Sequence, residues 1–410
     1  MTNLFSFLSS RGKEIFFPKL GILSQSSEAK EKSLNATIGI ALDEESKPLT
    51  FSSIAQKISL DKQEIFPYAP SQGILSLRSE WQKHLLSVNP SLVNKTISLP
   101  LVCCGITHAL SIAGFLFVEK NDKIAIPTPY WENYNLIYEN TYEGEIVPFP
   151  LFKDNKFNVE EIHNFLQSVG TKKILLLNFP NNPTGYTIKR NEAQELVEKI
   201  YDAAAIGKKI VVIIDDAYFG LFYEKEVLKE SLFASLCDLH ENVLAVKVDG
   251  ATKELFVWGL RIGFITFGIK EEGYEMLEDK AAGAIRATIS NASLLSESLV
   301  LKTLKDTSFI SEKKRCDDLL EQRYLKVKEV LALNKKYEEE FVALPFNSGY
   351  FMCIELKRGN AEKVRKILLE KYDTGVIALD NLLRIAFSSV PTEKIPLLFE
   401  NIYGACKITK

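Results

Sequence analysis

The segment KILLLNFPNNPTGYTIKRNEAQELVEKIYDAAAIGKKIVVIID (173–215) contains two apolar runs separated by a longer stretch of helical periodicity. Both runs are apolar on both faces, which is typical of parallel strands covered by helices on either side. The stretch between them ends before Gly207, a residue suited to a helix C-cap. The segment therefore predicts a β-α-β unit of an α/β fold.

Similar runs lie on both sides of this unit, namely KIAIPT (123–128), VLAVKV (243–248) and IGFITFG (262–268). Helix-length segments separate them, so we predict a parallel sheet with helices on both faces, and ligands collect at the carboxyl ends of such strands. After about residue 295 long charged helices follow, which indicates a second, smaller domain completed by the N-terminal residues. The expected division is an N-terminal arm and part of the small domain (1–55), a large domain (56–310) and a C-terminal small domain (311–410).

Composition narrows the functional classes. The chain has 410 residues, of which 46% are hydrophobic and 25% charged, with a net charge of −3 and both signs mixed. These values are ordinary for a soluble enzyme and give no electrostatic footprint for nucleic acid. The longest apolar run, 109–118, is too short to span a bilayer, and the N-terminus lacks the pattern of a signal peptide. We expect neither a nucleic-acid partner nor a membrane.

The cysteines and histidines show no metal-binding pattern. Six cysteines are scattered without CxxC spacing, which fits reduced thiols in the cytoplasm. Four histidines form no ligand spacing, so no metal site is expected.

Two polar motifs follow predicted strands. Asp215 closes an apolar strand, where an Asp commonly only caps a turn. A functional role needs a cation beside it, and a protonated pyridine nitrogen would serve. The segment NFPNNPTGY (178–186) is consistent with a simple turn, or with an amide directed at a phenolate oxygen.

Lys253 lies in VDGATKELFVWGLRIGF (248–264), which we read as a short polar loop between two strands. A lone Lys in such a loop is usually only solvated. An amine that is partly deprotonated by nearby cations can instead form a Schiff base. Arg261, eight residues later, can bind a phosphate dianion through two parallel hydrogen bonds.

A third anion-binding feature lies upstream, where a helix is predicted to begin near Thr107. The free N–H groups of Ile106 and Thr107 would bind an anion with support from the helix dipole, although a plain N-cap has the same geometry. Trp131 can stack on an aromatic cofactor, or it can be an ordinary core residue.

The order of these motifs resembles the fold-type I, class I/II aminotransferases that use pyridoxal 5′-phosphate (PLP), the aspartate aminotransferase superfamily. The resemblance runs through nearly the whole chain, and its most specific parts are NNPTG, DDAYFG and TKELFVWGLRIGF. It implies a large domain with a mostly parallel seven-stranded sheet covered by helices, and a smaller α+β domain built from both termini. It also implies PLP as the cofactor and a ping-pong exchange between an L-amino acid and a 2-oxo acid such as 2-oxoglutarate.

The resemblance also assigns the cofactor-binding residues. Lys253 matches the lysine that carries PLP and later moves the proton between Cα and C4′. Asp215 matches the partner of the pyridine nitrogen, and Tyr218 and Asn182 match the residues that hold the 3′-oxygen. The ring-stacking position is occupied by Trp131. The phosphate is assigned to Ile106, Thr107 and Arg261.

Other matches concern the substrate and a second subunit. Arg384 stands where the family binds the substrate α-carboxylate, and Gly39 matches a loop glycine that closes over the substrate. Tyr68 and Ser290 resemble residues that reach the phosphate of the neighbouring subunit. The resemblance therefore implies a homodimer with shared active sites.

Substrate choice depends on Arg286. It resembles an arginine donated across the dimer interface to grip the distal carboxylate of aspartate or glutamate, which favours dicarboxylic substrates. The alternative is a cation that only stabilises a helix C-terminus. Aromatic or broad specificity stays open, as does a C–S lyase or a synthase of cyclic amino acids on the same fold. A regulatory binding module is disfavoured because the catalytic set is complete.

The chain departs from the family pattern in two places. Gly250 replaces the Ser or Thr that many members use to bind phosphate, a loss for which Thr252 can partly compensate. Ile106 and His108 stand where some relatives have glycines, so we expect a stiffer loop there.

Overall fold

The computed structural model describes residues 7–16, 18, 21–56, 60–268 and 273–409, so part of the N-terminal segment interpreted above lies outside the described residues. The strands are β1 (Leu34–Asn35), β2 (Leu101–Cys104), β3 (Lys123–Thr128), β4 (Glu145–Pro150), β5 (Phe152–Lys153), β6 (Lys156–Phe157), β7 (Lys172–Asn178), β8 (Lys209–Asp215), β9 (Val243–Asp249), β10 (Ile262–Gly268), β11 (Phe341–Ala343), β12 (Phe351–Leu356), β13 (Thr374–Gly375), β14 (Ile377–Leu379) and β15 (Leu382–Ala386).

The α-helices are α1 (Ser10–Glu14), α2 (Ile22–Glu28), α3 (Ser52–Gln56), α4 (Leu75–Val88), α5 (Gly105–Phe117), α6 (Val159–Gln167), α7 (Arg190–Ala205), α8 (Leu232–Leu236), α9 (Ala251–Glu254), α10 (Tyr274–Ile289), α11 (Leu294–Leu304), α12 (Phe309–Leu333), α13 (Ala361–Lys371) and α14 (Ile395–Ile408). A π-helical stretch covers Asn135–Thr141.

The large sheet has seven strands in the order β2–β10–β9–β8–β7–β3–β4. From β9 to β4 the strands pair in parallel, whereas β10 is antiparallel to both β2 and β9. The α/β class and the mostly parallel seven-stranded sheet are thereby confirmed. The reversed direction of β10 was not predicted. Its connection from β9 holds only a four-residue helix and a 3-10 turn, and no long crossover helix.

The strand bounds follow the apolar runs closely. All five predicted runs lie within one residue of β3, β7, β8, β9 and β10. The strand β4 was not predicted, because only two of its residues are buried and two of its six residues are prolines. Both faces of the sheet carry buried apolar cores, one including residues of α5 and α10 and the other residues of α6, α7 and α8.

The sheet brings polar strand ends together. Residues of β7 and β8 are in register, so that Asn178 lies beside Asp215 at the carboxyl ends of the two strands. Lys253 follows the end of the neighbouring strand β9 and lies in the short helix α9 rather than in a loop. The helix predicted near Thr107 begins at Gly105, directly after β2. This edge of the sheet therefore collects the residues of the predicted site.

A second, antiparallel sheet has the order β11–β12–β15–β14, and its core includes residues of α12, α13 and α14. The short strand β1 pairs in parallel with β13, which ties the N-terminal part of the chain to the C-terminal part. The smaller α+β unit is thus built from both ends of the chain, as predicted.

The expected domain bounds at 55/56 and 310/311 stay a prediction. Helix α12 crosses the second bound. In its first half, Phe309 and Leu320 pack in the core of the large sheet. Its C-terminal residues Tyr324 and Val327 pack in the core of the small sheet. Among the described residues, no helix has the length and hydropathy to cross a membrane.

Candidate active site

A cavity of about 510 Å³ lies at the carboxyl edge of the large sheet. Ten of the residues predicted for the site line it: Gly39, Ile106, Thr107, Trp131, Asn182, Asp215, Tyr218, Lys253, Arg261 and Arg384. They come from distant parts of the chain and from both sheets. The structure therefore brings most of the predicted constellation together in one place.

Lys253 extends from α9 with its ammonium 4.8 Å from the centre of the Tyr218 ring. Desolvation by the surrounding protein lowers the pKa of this amine from 10.5 to about 8. The negative charge of Asp215 opposes that shift, and the positive charge of Arg261 adds to it. A lysine whose pKa lies this close to neutral pH is partly unprotonated there, and its free amine is a competent nucleophile toward a carbonyl carbon.

Asp215 is almost fully buried at the end of β8. Its Oδ2 accepts a hydrogen bond of 2.6 Å from the Tyr134 hydroxyl, and its Oδ1 accepts one of 3.0 Å from the Ala217 N–H. Burial raises the pKa of this carboxyl, while the Tyr134 hydrogen bond and the Lys253 charge act against the rise. A buried carboxylate held in this way is suited to a cationic ligand group such as a pyridinium N–H.

Two asparagines fix the ends of β7 and β8 relative to each other. The Asn178 side-chain amide donates to the Asp215 carbonyl oxygen at 2.8 Å. Its Oδ1 accepts from the Asn182 N–H at 2.7 Å. Asn182 is thereby held at the cavity wall, where its amide can contact a ligand oxygen.

Arg384 supplies a buried cation on β15. Its Nη2 donates to the Thr37 carbonyl oxygen at 2.9 Å, and its Nη1 donates to Asn182 Oδ1 at 3.3 Å. The guanidinium carbon lies 4.4 Å from the centre of the Phe351 ring, and Nε has no hydrogen-bond partner among the described residues. Burial lowers the pKa of this guanidinium, and Tyr218, Cys353 and Glu132 oppose that effect. A buried guanidinium with an unpaired N–H fits a carboxylate ligand.

The anion-binding part of the cavity is formed by the start of α5 together with Arg261. Gly105 has φ +75° and begins the helix, and a Cβ at this position would lie 2.6 Å from Arg261 Nη2. The absence of a side chain therefore lets the guanidinium approach the N-terminus of α5. Thr252 also lines the cavity, and within the part of the chain that the structure describes its hydroxyl has no hydrogen-bond partner. The N–H groups of the α5 N-terminus, those of the Arg261 guanidinium and this hydroxyl together fit a phosphate group.

Packing accounts for the two departures from the family pattern. A Cβ on Gly250 would lie 2.6 Å from the Ile262 carbonyl oxygen and 2.7 Å from Gly263 Cα, so the close approach of β10 excludes Ser or Thr there. His108 caps the turn into α5, since its Nδ1 accepts a hydrogen bond of 3.2 Å from the Cys104 N–H.

Three predicted residues do not reach this cavity. Tyr68 is 92% exposed, and Arg286 and Ser290 are exposed on α10 and at its C-terminal end. All three were expected to act on the site of a neighbouring subunit. Their roles therefore stay predictions.

The sequence alone missed several lining residues. Tyr134, which bonds Asp215, lies in TPYWENY only three residues after Trp131. Asn178 closes an apolar strand just as Asp215 does, a signal that could have identified it. Thr37 and Phe351 carry no local signal, because they reach Arg384 only through the fold.

Comparison with known proteins agrees with this geometry. Residues 31–402 match the family described as aminotransferase class I and II. The chain therefore belongs to this family, whose members depend on PLP, and the cavity has groups suited to the ring nitrogen, the phosphate and the attachment of that cofactor.

Individual similarities are more distant. A crystal structure of an aminotransferase from Anaerococcus prevotii has a TM-score of 0.88 and 24% identity, covering 98% of this chain and 99% of that chain, which shows a shared fold. A probable aspartate aminotransferase of Methanocaldococcus jannaschii is 27% identical over 212 residues, 52% of this chain and 51% of its own length. The 1-aminocyclopropane-1-carboxylate synthase 6 of Oryza sativa is 25% identical over 254 residues, 60% of this chain and 44% of its own length. The match thus spans about half the length of these curated relatives.

Proposed function

We propose that this protein is a PLP-dependent aminotransferase that moves an amino group from an L-amino acid to a 2-oxo acid such as 2-oxoglutarate. The observation that carries the proposal is the single cavity that contains a lysine of lowered pKa, a buried carboxylate and a buried arginine. PLP, when bound, supplies an electron sink for the bonds at the substrate α-carbon. The residues around it determine which bond is broken and where the proton goes.

Each side chain has a defined task in this proposal. Lys253 Nζ would hold the cofactor and would move the proton between the substrate Cα and the cofactor C4′. Asp215 keeps the ring nitrogen protonated. Tyr218 and Asn182 hold the 3′-oxygen, and Arg384 binds the substrate α-carboxylate.

The remaining contacts orient the cofactor and cover the substrate. Trp131 stacks on the ring, and Arg261 binds the phosphate together with the N–H groups of Ile106 and Thr107. Gly39 lies at the cavity wall beside open space, in a loop that would close over the substrate. Two half-reactions at this one site give a ping-pong cycle.

We further propose a homodimer in which each subunit completes the other's site. Tyr68 and Ser290 would contact the partner's phosphate, and Arg286 would bind the distal carboxylate of aspartate or glutamate. The exposure of all three residues supports this assignment, because each is free to contact a second subunit. The six unpaired cysteines support a reducing compartment, the cytoplasm.

Substitution of Arg286→Gln tests the dicarboxylate preference. We expect kcat/KM for aspartate to fall about 10²-fold, while neutral and aromatic donors change little, because only a dicarboxylate loses a charge-assisted bond. Steady-state rates with 2-oxoglutarate and a panel of amino acids would measure this. An equal loss for all donors would assign Arg286 to its structural role at the helix end. Turnover without any 2-oxo acid would favour a lyase or synthase.

Hybrid dimers test the shared sites separately. The Lys253→Ala and Arg286→Gln homodimers are each expected to be poor with aspartate. In a hybrid, one site joins the intact Lys253 to the intact Arg286, so mixing and reassociation should recover about a quarter of wild-type activity. No recovery after proven subunit exchange would contradict the shared site.

A further inference from the structure

A cluster of buried charges lies behind the cavity and takes no part in lining it. Lys247 on β9 is 1% exposed, and Asp216 and Asp249 are 3% and 4% exposed. Two carboxylates therefore share one ammonium in a desolvated place. Burying three charges is costly unless they are paired and hydrogen-bonded.

The contacts within the cluster are direct. Lys247 Nζ contacts Asp216 Oδ2 and lies 3.4 Å from Asp249 Oδ2. The Ser231 hydroxyl donates to Asp216 at 2.5 Å, and the Trp81 indole N–H donates to Asp249 at 3.2 Å. Burial raises the pKa of Asp216 and raises the pKa of Asp249 to about 6, and these two donors act against the rise.

Neighbouring elements add further titratable groups. Glu254, the residue after Lys253, is buried and pairs with His84 of α4 at 2.6 Å. The cluster and this pair are faced by Cys237 at the end of α8 and by Lys313 of α12. Three carboxylates, those of Asp216, Asp249 and Glu254, thus lie behind the site, and Lys247 is the cation that contacts Asp216.

Asp216 connects this cluster to the site, because it directly follows Asp215. The charge of Asp216 raises the pKa of Asp215, and Lys247 balances that charge. On the cavity side, Asp215 attracts the ammonium of Lys253. We therefore expect a change in the charge behind the sheet to act on both cavity groups.

We propose that Lys247 is a positioning residue that balances the charges of Asp216 and Asp249 and so limits the negative charge that acts on the Lys253 amine from behind the sheet. The proposal rests on the proposed function, in which Lys253 carries PLP. Packing alone does not require this lysine, since buried ion pairs are often replaced by apolar residues at no loss of stability. Lys247 acts through Asp216 and touches neither substrate nor cofactor.

Lys247→Met in the PLP-free protein is the test. The rate at which Lys253 reacts with trinitrobenzenesulfonate, followed by peptide mass spectrometry, gives the pH midpoint of its amine. We expect that midpoint to rise by about one unit, because an unbalanced buried negative charge favours every protonated group near it. In the PLP-loaded protein, the pH midpoint of the visible absorbance should rise as well.

Lys173→Met is the matched control. Lys173 is also a buried sheet lysine, on β7, but its Nζ donates to Ser168 and to the Val169 carbonyl oxygen instead of to carboxylates. Its loss should lower stability and leave the Lys253 midpoint unchanged. The double variant Lys247→Met/Asp216→Asn restores the charge balance and should return the midpoint to the wild-type value. Asp249→Asn, which removes a negative charge, should lower it.

An unmoved or lowered midpoint in Lys247→Met would overturn the proposal, as would a double variant that stays shifted. If Lys247→Met does not fold, the Asp249→Asn result decides, and a midpoint that does not fall refutes the charge-balance role. The PLP-free measurement does not depend on transamination. A wild-type protein that fails to bind PLP would therefore refute the proposed function and leave this test intact.

Discussion

Lys253 illustrates a conflict between stability and reactivity at the scale of one residue. Its ammonium is desolvated next to Arg261, and only Asp215 favours its charged form. The folded-state pKa of about 8 lies below the ordinary value of 10.5. Between these values the unfolded chain binds a proton that the folded chain has released, so stability from this group rises with pH across the window. Below about pH 8 the folded protein bears the full cost of burying the charged amine.

Removing the amine should therefore stabilise the PLP-free protein. We expect Lys253→Met to gain roughly 1–3 kcal/mol at pH 7, because one pKa unit corresponds to about 1.4 kcal/mol and Asp215 loses its cation in exchange. The gain should shrink toward pH 10. Urea unfolding of both PLP-free proteins at the two pH values measures it. A wild-type protein that is the more stable one at pH 7, or a gain that ignores pH, would contradict the lowered pKa.

Functional residues were predictable from the sequence where they lie at or just after the end of a strand. Asp215 and Asn182 could be identified because an apolar run stops and a polar residue follows, and the same signal exists at Asn178. Tyr134 is different, since it enters the site from a loop and a π-helical turn that the sequence does not specify. Lys247 was overlooked because it lies inside an apolar strand, where only the fold shows the carboxylates around it.

At the scale of elements, the way β9, α9 and β10 pack together determines which residues can contact a ligand in the cavity. β10 runs antiparallel to β9 and passes against Gly250, so there is no room for a side chain. A hydroxyl at this position, as many relatives have, would require the strand to move. Thr252 lies two residues further on, and its hydroxyl, unpaired among the described residues, can take over the phosphate contact.

Gly250→Ser, which introduces the hydroxyl that many family members have, should therefore improve neither stability nor PLP binding. We expect a loss of about 1–3 kcal/mol from overpacking, with no gain in PLP affinity. Thermal unfolding and PLP titration would measure both effects. Gly259→Ala serves as the control, because a Cβ there meets nothing within 4 Å. If the serine variant is as stable as wild type and binds PLP more tightly, the packing explanation is wrong.

The secondary structure shows how far sequence reasoning reaches. Buried parallel strands were placed within one residue because both of their faces are apolar, as in β8. The edge strand β4 was not predicted, because only two of its six residues are buried and two are prolines. The direction of β10 could not be read, since an apolar run carries no information on which way the chain crosses the sheet.

At the scale of the whole molecule, the cavity is assembled from both sheets. Asp215 and Lys253 come from the large sheet and its connections, whereas Arg384 comes from the small sheet and Thr37 from the N-terminal part of the chain. The proposed α-carboxylate site thus lies on a different sheet from the proposed cofactor site, an arrangement that would allow domain movement to close the cavity on a substrate. Arg286, which is expected to act on the site of a second subunit, lies exposed on α10.

An absorbance spectrum of the purified, PLP-loaded protein, recorded before and after L-aspartate is added without a 2-oxo acid, tests the central claim most directly. We predict a visible band that aspartate converts to the band of pyridoxamine phosphate, and no such conversion in Lys253→Ala. Restoration of the visible band by 2-oxoglutarate would complete the cycle. A response only to phenylalanine or tyrosine would keep the enzyme class and remove the dicarboxylate role of Arg286. The absence of any visible band after incubation with PLP would contradict the claim itself.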